Sequence, residues 1–374
     1  LSTNKLTIKV PGKLMVAGEF AVLIPHHHLA VTAVDRFVYA TIEDAEQRTL
    51  TLEDYQLEDL SWGYKDGKVT IQSADDRLSF VKEAMEVTCT YLAEAGVEMD
   101  HFNLAVRSEL DDASGVKYGL GSSAAVVTAV VTAIMARFTK EELDKDVIFK
   151  LAALAHVNIQ GSGSGADVAA SVYGGILQYS SFQAEWLLDA SKSAASIHEL
   201  LEADWIYLSI KRLTLPTSVS FCVGWTGNPA STTKLVGRIL KLQDDNPQAF
   251  KEFLAKSERA VHTLLTGMEE ENQELLFSGV KANRKALATV GNNADVSIET
   301  ALLGTLCDLA DGLGGAGKPS GAGGGDCGIA FMPSKRQAEQ LFSSWEKAGI
   351  KPLSITSHPE GATVIESKKN IKKT

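Results

Sequence analysis

Cysteine is scarce: Cys89, Cys222, Cys307 and Cys327 are the only four in 374 residues. They lie far apart and form no CxxC pair, so neither a zinc site nor a disulfide framework is indicated. Isolated cysteines in apolar runs pack as small hydrophobes. No uncharged apolar run approaches the roughly 18 residues of a membrane helix. No charged-then-apolar leader opens the sequence, so no membrane partner is expected and the cytoplasm is the expected compartment. Excess basic charge is also missing. A formal net charge of −11 speaks against nucleic acid as a partner, because a phosphate backbone demands a basic footprint. The basic end Lys368, Lys369, Lys372 and Lys373 reads as solvated. The acidic balance leaves room for a small phosphorylated substrate, since a few local cations can dominate a pocket. The Walker pattern GxxxxGK[ST] is absent, and GxGxxG fails at residue 124, where Ala stands. His26, His27 and His28 are adjacent and cannot all point one way. They read as loop residues after Pro25.

What is present is an ordinary globular composition, 45% apolar and 22% charged. The length predicts two domains, divided here as 1–212 and 213–374. Residues 6–10 read as a strand ending in a Pro11-Gly12 turn, and 29–42 as one long strand or two. Residues 49–78 suggest hairpins, 79–95 a helix and 101–106 a strand. The run from Ser122 or Ser123 to Phe138, rich in Ala and Val, predicts a buried helix. A second helix follows over 141–157, then strands at 176–180 and 205–210 with a polar stretch between them. A strand at 219–225, helical periodicity over 247–310, a strand IAFM, a helix at 335–347 and two terminal strands complete the chain.

Three glycine loops punctuate these elements. A glycine turn before a helix presents backbone N–H groups to an anion, and the helix dipole adds to the attraction. GLGSSAA at 119–125 has this form, and Ser122 and Ser123 could bind phosphate oxygens or Mg2+. A tight helix entry with a serine cap has the same look. QGSGSGADVAAS at 160–171 holds Asp167. The third loop, 312–328, has eight glycines between Gly314 and Gly328, with Asp326 among them. Such density suits a backbone that passes close to a ligand. Lys13 follows the first strand. Lys13 or Asp167 taken alone would read as a surface charge. Beside glycine loops, a cation and a carboxylate are what phosphoryl transfer requires, because that chemistry is mostly positioning and charge stabilisation.

Together these motifs resemble the kinase family of galactokinase, homoserine kinase, mevalonate kinase and phosphomevalonate kinase. PGKLMVAGEFAVL at 11–23, GLGSSAAV at 119–126 and KPSGAGGGDCGIAF at 318–331 are similar to its first, second and third motifs, in order. Within the family, AGEF, VDR at 34–36, QGSGSGADVAAS, VGWTGNPAST at 223–232 and GGGDCG are most similar to the bacterial-type phosphomevalonate kinase branch. The resemblance implies an α+β, two-lobed fold. Its N-terminal lobe would be a mixed-sheet domain of the ribosomal protein S5 domain 2-like type, and its C-terminal lobe a ferredoxin-like one. ATP would lie in the cleft between them.

The resemblance further implies that Asp167 is the catalytic aspartate and Lys13 its partner lysine. Lys117, Gly119, Leu120, Gly121, Ser122, Ser123 and Ala124 would bind the nucleotide, with Ser123 near Mg2+. His156 stands eleven residues before Asp167, where mevalonate kinases carry a Mg2+-binding glutamate. A two-side-chain Mg2+ site therefore cannot be carried over, and His156 is expected to be a packed or capping residue. Lys13, Ser162, Ser164, Ser231, Ser320 and Ala322 are the expected contacts for phosphomevalonate as phosphoryl acceptor. The alternatives are a mevalonate kinase, with a neutral hydroxyl as acceptor, and a non-catalytic binding member of the fold. The assembly is expected to be a monomer or homodimer.

Overall fold

The computed structural model describes residues 4–110, 118–139, 142–227 and 232–369. The first eight strands are β1 (Asn4–Ala17), β2 (His28–Asp44), β3 (Thr49–Leu52), β4 (Leu57–Lys65), β5 (Lys68–Ile71), β6 (Phe102–Ser108), β7 (Ile176–Ser180) and β8 (Ser209–Leu213). The last five are β9 (Ser220–Trp225), β10 (Ala316–Pro319), β11 (Cys327–Met332), β12 (Lys351–Leu353) and β13 (Thr363–Lys369). They form two sheets. The larger runs β13-β1-β2-β6-β3-β4-β5, with β7 paired to both β2 and β8. It is mixed, because β3 and β6 are parallel while β1 and β2 are antiparallel.

Four helices carry the core of this lobe: α1 (Ser79–Glu94), α2 (Ser122–Phe138), α3 (Lys145–Gln160) and α4 (Ala166–Tyr173). From Ala124 to Met135, every residue of α2 except Val126 is buried. That is the pattern of a helix enclosed on all sides rather than an amphipathic surface helix. The expected polar stretch after β7 is instead two short helices, α5 (Ala184–Ser193) and α6 (Ile197–Glu202). Ser196 caps α6 by accepting from the Glu199 amide. The strand expected at 205–210 lies at 209–213.

Helices α7 (Thr232–Asp245), α8 (Pro247–Glu269), α9 (Gln273–Asn293), α10 (Ala301–Gly312) and α11 (Lys335–Lys347) belong to the second half of the chain. The smaller sheet has the order β10-β11-β9-β12. Read along the chain this is a βαββαβ arrangement, the ferredoxin-like topology, with extra helices between its first two strands. Glycine lets α10 lie close on this sheet: a Cβ on Gly317 would stand 2.8 Å from Cys307 Cα. All four cysteines are buried with free thiols. Among the described residues no helix is long and apolar enough to cross a membrane.

Two further expectations are corrected. Pro11-Gly12 is not a turn. β1 runs straight through it, and the register with β2 slips there, Pro11 opposing Phe37 and Gly12 opposing Val34. Proline has no N–H for the ladder, and the bulge absorbs that loss. The 312–328 segment is not one continuous loop. Residues 316–319 are β10, paired antiparallel with β11, which splits the segment into a short turn at 313–315 and the turn between β10 and β11. The chain also crosses between its halves. After β12, β13 returns to the larger sheet and pairs with β1, Leu6 opposing Ser367.

Candidate active site

Three turns meet around Lys13. The first is built on the entry to α2. Gly119 and Gly121 both have φ 77°, a left-handed conformation that a side chain would strain. Gly121 occupies the N-cap position, and no side chain caps the helix. The serine-cap reading of 119–125 is thereby set aside. The first-turn amides of Ser122, Ser123 and Ala124 have no partner within the helix, and the dipole places partial positive charge at that end. Leu120 is buried behind the turn. Its carbonyl accepts from the Lys13 amide at 2.8 Å.

Lys13 therefore lies on β1 itself, with its side chain across the turn. Nζ donates to Gly119 O at 3.0 Å, and a Cβ on Gly121 would stand 2.9 Å from Lys13 Cε. Burial pushes the ammonium pKa below its ordinary value; the nearby carboxylates of Asp167, Asp326 and Glu19 oppose that shift, with Asp167 foremost. Asp167 lies close enough to act on the Lys13 charge without forming a direct ion pair. Asp167 sits in the first turn of α4, whose N-cap Gly165 is left-handed and supplies no capping side chain, and its Oδ1 accepts from the Val168 amide at 3.0 Å. Gly161, Gly163 and Gly165 all have positive φ in the turn before it. In that turn Ser162 is exposed. Ser164 Oγ accepts from the Ala166 amide at 3.3 Å, and Ser164 O accepts from Tyr179 Oη at 2.6 Å. The Ser164 hydroxyl keeps its proton to donate.

The third turn, between β10 and β11, arrives from the other lobe. Asp326 has φ 53°, and a Cβ on Gly119 would stand 3.0 Å from its Oδ2. Thr226 N and Oγ1 each donate to Asp326 O at 3.0 Å. The Cys327 thiol donates to Tyr118 O at 3.2 Å, and burial pushes its pKa up to about 12. A buried ion pair clasps this turn to the first motif. Lys318 Nζ donates to Glu19 Oε1 at 2.5 Å and to Pro319 O at 2.6 Å, while the Gly321 amide donates to Glu19 Oε1 at 3.2 Å. Lys318 is 0% exposed and Glu19 4%. Both donors of Ser320 are engaged, Oγ to Met15 O at 2.8 Å and N to Cys327 O at 3.0 Å. The Ala322 and Gly323 amides have no acceptor among the described residues.

Lys117 and Ser231 lie outside the described residues. The rest of the expected nucleotide set is contiguous, and the structure brings it to Lys13 and Asp167. Asp326, Glu19 and Lys318 were not among the expected site residues. The signal for Asp326 was its place among the glycines. Nothing in the sequence ties residue 19 to residue 318. His156 is packed, as expected, and it also reaches Ser123: its Nε2 lies 3.2 Å from Ser123 Oγ.

The model of the GHMP kinases N terminal domain matches residues 79–175, and that of the GHMP kinases C terminal domain residues 276–351. A phosphomevalonate kinase from Streptomyces is 35% identical over 96% of this chain and 100% of its own. The chain belongs to the GHMP kinases. The mevalonate kinase of Pyrococcus furiosus is 25% identical over 97% of this GHMP kinase and 99% of its own length. Among solved structures, a Listeria innocua protein superposes with a TM-score of 0.91 at 39% identity, over 97% of this chain and 99% of that one. Streptococcus pneumoniae phosphomevalonate kinase in complex with phosphomevalonate and AMPPNP superposes with a TM-score of 0.80 at 27% identity, over 94% and 99%.

The donor set around the α2 entry suits Mg2+. It offers the Ser123 hydroxyl and carboxylate oxygens, hard ligands for a hard cation. Among the described residues no three His, Cys, Asp or Glu side chains cluster to hold a metal unaided. Mg2+ is commonly held through substrate phosphates and one or two protein oxygens, with water completing the shell.

Proposed function

We propose that this GHMP kinase transfers the terminal phosphoryl group of ATP to the phosphate of (R)-5-phosphomevalonate, giving ADP and diphosphomevalonate. One observation carries the reading: free-amide turns from two lobes surround the partly buried Lys13, with Asp167 as its foremost carboxylate neighbour. Full-length identity to the Streptomyces enzyme supports the choice of acceptor.

The uncapped turn at 119–124 holds the nucleotide phosphates through its amides, with Lys117 as a further contact. Ser123 would hold Mg2+ together with those phosphates; when bound, the ion neutralises charge on the transferring group. Lys13 supplies positive charge at the transfer point from within a water-poor setting, where electrostatic stabilisation is strongest. The acceptor oxygen is already ionised near neutral pH, because a phosphate monoester has its second pKa near about 6. Asp167 therefore need not remove a proton. Its role is to hold Lys13 charged and to orient the acceptor.

Ser162 and Ser164 meet the carboxylate or hydroxyl of the acceptor. The Ala322 amide meets its phosphate. Ser320 serves as the anchor of that turn to β1, since both its donors are committed. Ser231 lines the acceptor side.

The second reading is a mevalonate kinase, favoured by the 25% identity to the Pyrococcus enzyme. A coupled ADP-release assay with mevalonate and phosphomevalonate offered side by side decides between them. Turnover of phosphomevalonate is expected. Turnover of mevalonate alone overturns the proposal.

A further inference from the structure

Ser123 is the second residue of α2. A serine near a helix start ordinarily satisfies its hydroxyl on local backbone or water. Here the partner is an imidazole from another helix, His156 of α3, at 3.2 Å from Nε2 to Oγ. The ring is 3% exposed, and no other histidine among the described residues is buried. It stacks on Phe80 of α1, with centroids 5.2 Å apart and planes at 27°. Three helices thus fix one ring against one hydroxyl.

A serine hydroxyl has one proton and two lone pairs. If His156 Nε2 accepts the proton, both lone pairs are left for a cation or a donor. If Nε2–H donates, one lone pair is used and the proton is free to meet a phosphate oxygen. In either tautomer the contact holds Ser123 Oγ in one side-chain rotamer before any ligand arrives. Preorganisation of this kind strengthens binding by removing the ordering cost.

We propose that His156 is a positioning residue of the nucleotide site, fixing the rotamer and the outward-facing atom with which Ser123 meets the Mg2+-bound nucleotide. The inference rests on the reading of the 119–124 turn as the phosphate site.

The test is a double-mutant cycle read by calorimetric binding of ADP, with Mg2+ and with EDTA, alongside kcat and KM. His156→Phe keeps the stack on Phe80 and removes Nε2. It is expected to melt near wild type and to bind ADP with Mg2+ about 10-fold more weakly, a change of about 1.4 kcal/mol. Mg2+-free ADP should bind with little change, and KM for the acceptor should stay within about 2-fold. His156→Gln, whose amide reaches the Nε2 position, should restore most of the affinity. In a Ser123→Ala background, His156→Phe should change nothing further. If the Phe variant does not fold, His156→Asn, whose amide ends short of Ser123, closes the same cycle.

Unchanged Mg2+-ADP affinity on losing Nε2, or an equal loss with and without the Ser123 hydroxyl, overturns the inference. ADP binding needs no acceptor. Wild-type protein that binds Mg2+-ADP but ignores phosphomevalonate therefore sinks the proposed acceptor alone. Wild-type protein that does not bind ADP sinks both.

Discussion

Replacing Lys318 by Met should destabilise the protein far more than an ordinary substitution. The ammonium is 0% exposed and its partner carboxylate 4%. Glu19 Oε2 already has no partner, so removing the ammonium leaves Oε1 with only the Gly321 amide at 3.2 Å. A buried charge stripped of its partner costs about 3–5 kcal/mol, a large share of a typical folding stability of about 5–15 kcal/mol. Urea unfolding measures this as a shift in midpoint at constant slope. The double variant Glu19→Gln/Lys318→Met removes both charges, and most of the loss should be recovered. The single variant should also raise KM for the acceptor more than KM for ATP, because the 320–323 turn loses the ion pair that clasps it to Glu19. A Lys318→Met cost below about 1 kcal/mol, or a double variant no better than the single, would refute the reasoning.

Asp167→Asn and Lys13→Met should fold normally and lower kcat at least ~100-fold, about 2.7 kcal/mol of barrier; near-normal turnover removes both residues from the proposed chemistry. Gly121→Ala should lose activity out of proportion to stability, since its Cβ would stand 2.9 Å from Lys13 Cε at φ 77°, and comparing melting with kcat separates the two effects. Because burial lowers the Lys13 pKa below 10.5, the charged form is lost on the alkaline side at a lower pH than for a free lysine. The alkaline limb of kcat/KM for ATP should therefore begin below that value, and Lys13→Arg, which stays charged, should remove the limb whatever its effect on rate.

Much of the architecture was legible where a local signal is strong. The change from Gly and Ser to an Ala- and Val-rich run after residue 123 marked the start of α2, and the amphipathic run 335–347 coincides with α11. Legibility failed where the cause is distant. Pro11-Gly12 has the look of a turn, yet Gly12 is glycine because a Cβ there would lie 2.8 Å from Leu120 O, over a hundred residues away. The segment 181–204 looked merely polar because Leu187 is the only fully buried side chain of α5, too little for a periodic stripe. Of the site, the glycine turns, Lys13 and Asp167 could be read as candidates. The clasp between Glu19 and Lys318 could not, for it joins residues 299 apart. The contact of His156 with Ser123 was likewise hidden, since no pattern in either helix reports the other.

The return of β13 to the edge of β1 has a bearing on biosynthesis. The strand that carries Lys13 leaves the ribosome more than 300 residues ahead of its neighbour on one side, residues 363–369. Until those residues have been translated, β1 presents an open hydrogen-bonding edge. Such a nascent edge invites mispairing, and a pairing of this sequence separation forms slowly. The N-terminal lobe should therefore reach its final protease resistance only after residues 363–369 have emerged. Ribosome-bound intermediates truncated before residue 363 should be cleaved more readily around β1 than the finished protein.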